Sequence, residues 1–173
     1  RSAGWGVVPM LYTILKKKSV FSETAKIPEH ILKKIRLKYF MSHVAYDTRC
    51  RRLTEILEVF HKAGIKVILL KGIHLAQFVY RDAGVRPMSD IDIMVKKDDL
   101  QKAESLLFRL GYSNEKEGEK ITTWHHLPAF FHPKTKIKLE LHWAIEHLFW
   151  RFRIDLGGIW ERAYVIPMHG IDR

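Results

Sequence analysis

"RPMSDIDIMV", residues 86–95, decides how the rest of the chain is read. Ile91 and Ile93 alternate with Asp90 and Asp92, and side chains at i and i+2 of a strand share a face. The isoleucines therefore turn to a core, and the two carboxylates point together on the other side. Apolar residues would stabilise such a strand better. Two like charges side by side cost energy unless a cation neutralises them, and paired carboxylate oxygens suit Mg²⁺. A lone D-x-D is common, however, and Asp90 as a turn cap with Asp92 as a solvated strand residue explains the same letters.

Outward from this strand the elements alternate in type. "KVILL" (66–70) is a short β-branched and aliphatic run that reads as a buried strand, and "KGIHLAQFVY" (71–80) follows it as a helix. Residues 81–88, with Gly84 and Pro87, read as a loop. A helix over 98–110 has Asp98 and Asp99 at its start, Leu100, Ala103, Leu107 and Leu110 on one face, and Gly111 after its end. Ser113 to Lys120 is expected to be an exposed loop, and "TTWHHLPAFFH" (122–132) a strand bent at Pro128. "KIKLELHW" (136–143) alternates best: Ile137, Leu139, Leu141 and Trp143 face one way, Lys136, Lys138, Glu140 and His142 the other. Upstream, helices are expected over 7–18 and 29–49. Another begins near Leu53, where Leu53, Ile56, Leu57 and Phe60 share a face and Gly64 caps the end. Residues 144–173 read as helical at first and then irregular.

This order predicts an α+β protein, a small mixed β-sheet flanked by helices and preceded by a basic N-terminal helical region. The expected segments are 1–52, 53–145 and 146–173. The ends, Arg1 and Gly170-Ile171-Asp172-Arg173, read as those of a fragment. An apolar fraction of 47% and an aromatic fraction of 12% belong to a folded chain. The net charge of +11 favours polyanionic partners: nucleotides, nucleic acid or an acidic membrane surface. Most of the excess lies in the first 70 residues, with 14 Lys/Arg against 5 Asp/Glu. The single cysteine, Cys50, excludes an internal disulfide and suits a reducing, cytoplasmic setting. Trp5 to Leu15 is too short to span a bilayer, and its lysines follow it, unlike those of a signal peptide.

Glu140 gives the acidic pair a third member. If its strand neighbours Asp90 and Asp92, three carboxylates converge, enough to hold two Mg²⁺ ions for in-line phosphoryl or nucleotidyl transfer. Lys71 and Gly72 stand at a strand–helix junction, where free backbone N–H groups and a glycine admit a phosphate. Arg86, four residues before Asp90, either binds phosphate or pairs with a carboxylate. His125, His126, His132 and His142 invite a zinc reading, but the spacing lacks the usual ligand pattern, so zinc is the weaker option. Adjacent histidines in a strand face opposite ways, so one of His125 and His126 is expected at the site. His142 shares Glu140's face, where it either orients Glu140 or touches substrate. Trp124, Trp143 and Trp150 read as core, and Lys16-Lys17-Lys18 as a solvated helix end.

The combination of "ILLKGIHLAQFVYRDAGVRPMSDIDIMV", "HHLPAFF" and "LELHW" resembles a bacterial family described as uncharacterised nucleotidyltransferases, within the superfamily of polymerase-β-like fold. The resemblance covers about residues 53–145. It implies transfer of a nucleoside monophosphate from a nucleoside triphosphate (ATP or another NTP) to an acceptor, with Asp90, Asp92 and Glu140 as the metal triad. Asp90 and Asp92 would hold two Mg²⁺ (or Mn²⁺) ions, and Glu140 would complete the ion nearer the acceptor and help deprotonate its hydroxyl. Lys71, Gly72 and Ser89 would meet the triphosphate, with Arg86, His126 and His142 near it. The superfamily's Gly-Ser or Gly-Gly turn is Lys71-Gly72 here, followed by Ile73. The usual phosphate-binding hydroxyl is thus absent, and Lys71 offers charge in its place. The stretch from Gly72 to Asp90 is also longer than in compact members. Two other readings remain: a catalytically lapsed module on this fold that binds nucleotide or nucleic acid, and a helical scaffold that docks a partner protein through its basic N-terminal surface. The acceptor is open among protein, RNA and small molecules.

Overall fold

A computed structural model describes residues 6–17, 27–114, 125–145 and 154–166. The elements in order are α1 (Val8–Lys17), α2 (Glu29–Lys62), β1 (Ile68–Leu69), α3 (Lys71–His74) with a π-helical turn (Leu75–Val79), and β2 (Asp90–Met94). A 3₁₀ turn (Lys97–Asp99) then leads into α4 (Leu100–Arg109), followed by β3 (Ser113–Asn114), β4 (Phe130–Phe131), β5 (Lys138–His142) and α5 (Leu156–Arg162). The strands form one mixed sheet in the order β1-β2-β5-β4-β3. Only β2 and β5 are parallel; the other pairs are antiparallel. The expected α+β class, with a small mixed sheet and flanking helices, is the class observed.

The chain divides into two compact units, residues 1–50 with 71–89, and residues 51–70 with 90–173. The second holds the sheet. Ile91 and Ile93 of β2 stand in register with Leu139 and Leu141 of β5, and all four are buried. Leu53, Ile56 and Phe60 of α2, Met94 and Val95 at the end of β2, Ala103 and Leu107 of α4, and Phe130 of β4 are fully buried with them. Burying one such side chain contributes about 1.5–3 kcal/mol.

α2, whose C-terminal part lies in this unit, and α4 each end at a glycine in the left-handed region. Gly64 (φ 73°) follows α2 and Gly111 (φ 84°) follows α4. At the first, Gly64 N–H donates to His61 C=O and Ile65 N–H to Phe60 C=O (both 2.9 Å). At the second, Gly111 N–H donates to Phe108 C=O (2.9 Å) and Tyr112 N–H to Leu107 C=O (3.0 Å). This is the Schellman pairing, with the apolar C″ residue buried each time.

In the first unit, Tyr39 OH (2.9 Å) and Gly84 N–H (3.0 Å) both donate to Asp82 Oδ1. A Cβ on Gly84 would lie 2.4 Å from Tyr39 Cε2, so the loop needs glycine there. Burial pushes the Cys50 thiol up, which keeps it protonated and inert.

Several elements differ from expectation. The helices anticipated over 29–49 and from Leu53 are one helix, because no glycine or proline falls between Pro28 and Gly64. Ser113–Asn114, expected in a loop, pairs with β4, while residues 115–120 lie outside the described residues. Of the described part of 122–132, residues 125–132, only Phe130–Phe131 is a strand, with one isolated bridge at His126. β5 starts at Lys138 because Lys136 adopts φ 55° and turns the chain there. In the tail a helix lies at Leu156–Arg162, where the Asp155 carboxylate accepts from Gly158 N–H (2.9 Å); residues 146–153, on which the expectation of an early helix falls, lie outside the described residues, as do Lys18, Trp124 and Trp150. Among the described residues no helix is long and apolar enough to cross a membrane.

Candidate active site

The parallel ladder between β2 and β5 sets Asp90 beside Lys138, Asp92 beside Glu140 and Met94 beside His142. Strand alternation sends Ile91, Ile93, Leu139 and Leu141 to the opposite face, so the polar side chains meet on this one. Asp92 is only 6% exposed. His142 Nε2 lies 3.1 Å from Asp92 Oδ1 and 3.5 Å from Glu140 Oε2. One ligand atom from each of Asp92, Glu140 and His142 lies within 4.8 Å of the others, close enough to share one cation.

Asp90 joins the group through a lysine. Lys138 Nζ is 2.5 Å from Glu140 Oε1 and 3.7 Å from Asp90 Oδ2. The hydrogen bond to Glu140 holds the Lys138 ammonium above its usual range; burial opposes this, and the charges of Glu140, Asp90 and Asp92 reinforce it. The polar face thus already places one positive charge against Glu140 and Asp90, while Asp90 is not among the side chains that could share a cation with Asp92. Lys138 was missed as a site residue. Its signal was its position two before Glu140 in "KLELH", but a lysine on a strand's polar face ordinarily means solvent.

The histidines divide differently from expectation. His126 and His125 do not face opposite ways: their rings are 4.7 Å apart, and they lie 5.1 Å and 5.4 Å from the His142 ring. Strand alternation does not apply because the backbone there is a bend with a single bridge to His142. A carbonyl only accepts, so His126 Nδ1–H donates to Leu127 C=O (2.7 Å). His132 belongs elsewhere. Its Nδ1 accepts from Thr135 N–H (3.3 Å), its ring packs edge-on to Tyr112, and burial pushes its pKa down.

β1 runs directly into Lys71, and Leu70 N–H donates to Asp92 C=O (3.0 Å). The left-handed residue at this junction is Lys71 (φ 45°), not Gly72. Gly72 is small for a different reason: a Cβ there would come within 3.3 Å of Met88 Cβ. Ser89 is exposed, and its C=O accepts from Arg49 Nη2 (3.1 Å). Arg86 Nε is buried with no hydrogen-bond partner among the described residues.

A family profile described as "Uncharacterised nucleotidyltransferase" matches residues 4–172. The chain belongs to this nucleotidyltransferase family. The match extends well beyond the stretch of about 53–145 that carries the sequence resemblance. No curated protein and no solved structure matches the chain. In this family member, the Asp92–Glu140–His142 group is a set of side chains that could hold a metal ion.

Proposed function

We propose that the chain transfers a nucleoside monophosphate from a nucleoside triphosphate to an acceptor hydroxyl, with divalent cations, Mg²⁺ or Mn²⁺, held by Asp90, Asp92 and Glu140. The observation that carries this reading is the pairing of Asp92 with Glu140 across the β2–β5 ladder. The donor set fits a dication: two carboxylates and an imidazole converge, and Lys138 already supplies positive charge beside them.

In the reaction the acceptor oxygen forms a bond to the α-phosphorus, the bond from that phosphorus to the bridging oxygen breaks, and pyrophosphate leaves. The cations, when bound, supply charge neutralisation at the attacking and leaving oxygens. Glu140 takes the acceptor's proton. Lys138 bridges Asp90 and Glu140. Lys71, Gly72, Ser89 and Arg86 bind the triphosphate; the buried, unpartnered Arg86 Nε supports a role for Arg86 with an anion. His126, whose Nδ1–H donates to Leu127 C=O, lies near the triphosphate in this reading. Positioning supplies much of the rate.

The test is incubation of the full-length protein with labelled ATP, GTP, CTP and UTP, a dication, and protein, RNA and small-molecule acceptors. Label transfer with pyrophosphate release, lost in Asp92→Asn, is expected. A second reading, a binding module with lapsed chemistry, is favoured by the missing hydroxyl after Lys71 and by the Lys138 ammonium on two of the carboxylates. Dication-dependent nucleotide binding with no pyrophosphate release from any NTP would select it.

A further inference from the structure

We infer that His142 is a nitrogen ligand of a mixed oxygen–nitrogen cation site, with Asp92 and Glu140, that takes a first-row transition dication in preference to Mg²⁺. The inference rests on the dication dependence proposed above and specifies one of its cation positions.

An all-carboxylate site presents only hard oxygen, which suits Mg²⁺. Here a buried imidazole is wedged between two carboxylates. The His142 side chain is 2% exposed, Asp92 4% and Glu140 15%. A histidine that merely neutralised Asp92 would need one contact; His142 Nε2 instead reaches Asp92 Oδ1 (3.1 Å) and Glu140 Oε2 (3.5 Å) with the same nitrogen. The other ring nitrogen, Nδ1, is buried and has no partner among the described residues, so Nε2 alone makes the ring's polar contacts. Nε2 and one oxygen from each carboxylate already lie within 4.8 Å of one another. Imidazole nitrogen strengthens binding of first-row transition dications, with affinity rising from Mn²⁺ to Cu²⁺ and Zn²⁺ above Mn²⁺, while Mg²⁺ gains little from it and keeps its water.

The test uses Mn²⁺ as a spectroscopic probe of the full-length protein and needs no turnover. Pulsed electron paramagnetic resonance of bound Mn²⁺ is expected to show coupling to a directly bound ¹⁴N. Zn²⁺ is expected to displace Mn²⁺ at a concentration about a hundredfold or more below that of Mg²⁺. In His142→Gln, which keeps volume and offers an amide oxygen, the nitrogen coupling disappears and the Zn²⁺-over-Mg²⁺ preference shrinks about tenfold or more. Circular dichroism and thermal unfolding check that this variant folds. If His142→Gln does not fold, His142→Asn and selective ¹⁵N-histidine labelling of the wild type carry the same readout. Wild-type Mn²⁺ without nitrogen coupling, or a coupling that survives in a folded His142 variant, overturns the inference. Nucleotidyl transfer in that case leaves the proposed function standing. Nitrogen coupling lost with His142, but no transfer from any NTP, leaves the metal site standing and removes the activity.

Discussion

Asp92 and Glu140 are register partners on adjacent parallel strands, although 47 residues separate them in sequence. Each is followed by a residue buried in the core, Ile93 and Leu141, so the packing that stabilises the sheet also aims the two carboxylates at each other. Stability and site geometry are thereby coupled, and variants can separate them.

Lys138 bridges Asp90 and Glu140. Lys138→Met leaves like charges facing one another and is expected to lower stability by about 1 kcal/mol, the group being partly solvated. That corresponds to a fall of about 3 °C in Tm. Saturating Mn²⁺ should restore most of the loss, because a bound cation replaces the ammonium. Differential scanning calorimetry with and without Mn²⁺ checks this; an unchanged Tm without metal would mean the lysine is only a solvated neighbour.

Lys71 holds a left-handed conformation that costs a non-glycine residue about 1–2 kcal/mol. Lys71→Gly is therefore expected to raise Tm by about 3 °C while weakening triphosphate binding. Lys71→Ala keeps the strain and removes the ammonium, so it should weaken binding without the gain in Tm. Calorimetric titration with a non-hydrolysable triphosphate, beside thermal melts, separates the two effects. Undiminished nucleotide affinity in both variants would remove Lys71 from the triphosphate site.

Gly84 packs its Cα face against the Tyr39 ring, where a Cβ would come within 2.4 Å of Cε2. Gly84→Ala is expected to cost about 1–3 kcal/mol through overpacking. The double variant Gly84→Ala/Tyr39→Leu should recover part of that loss by removing the ring. Denaturant melts on the single and double variants measure it, and additive losses would argue against the clash.

His132 titrates below its ordinary value of 6.5 because burial disfavours its charged form, with Arg52 and Lys134 acting in the same direction and Glu55 against it. A lowered folded pKa means the stabilisation is complete above about pH 6.5 and declines as pH falls through that value. His132→Asn, whose side-chain oxygen can still accept from Thr135 N–H, should flatten the loss of Tm between pH 7.5 and 5.5. An equally steep decline in the variant would assign the acid sensitivity to other groups.

The polar face of β5 was legible from "KIKLELHW", and that of β2 from "SDIDIMV", because a two-residue period is a local property. Their adjacency was not. Parallel pairing between segments this far apart is decided by packing of Ile91, Ile93, Leu139 and Leu141, which carry no label for their partners. Lys138 escaped notice for the same reason, since only the register step opposite Asp90 distinguishes it from a solvated lysine. The separation of a helix over 29–49 from one beginning near Leu53 has no stop signal behind it; the sequence between them offers neither glycine nor proline to end a helix. For His125 and His126, alternation fails because the backbone bends at His125 and again at Pro128.

The polar ladder also acts on strand choice during folding. If β5 slid by two residues in one direction, its apolar face would still meet the core, but Glu140 would stand beside Met94 and Asp92 beside Lys138. A slide the other way would put Asp90 beside Glu140 and Lys138 beside Met88. Hydrophobic packing alone discriminates poorly between such even-numbered slips, because they preserve the face. The charges discriminate: only the observed alignment gives Asp90 its lysine while bringing His142 to both Asp92 and Glu140. The residues proposed to hold a cation thus double as a proofreading code for the one parallel pairing in the sheet.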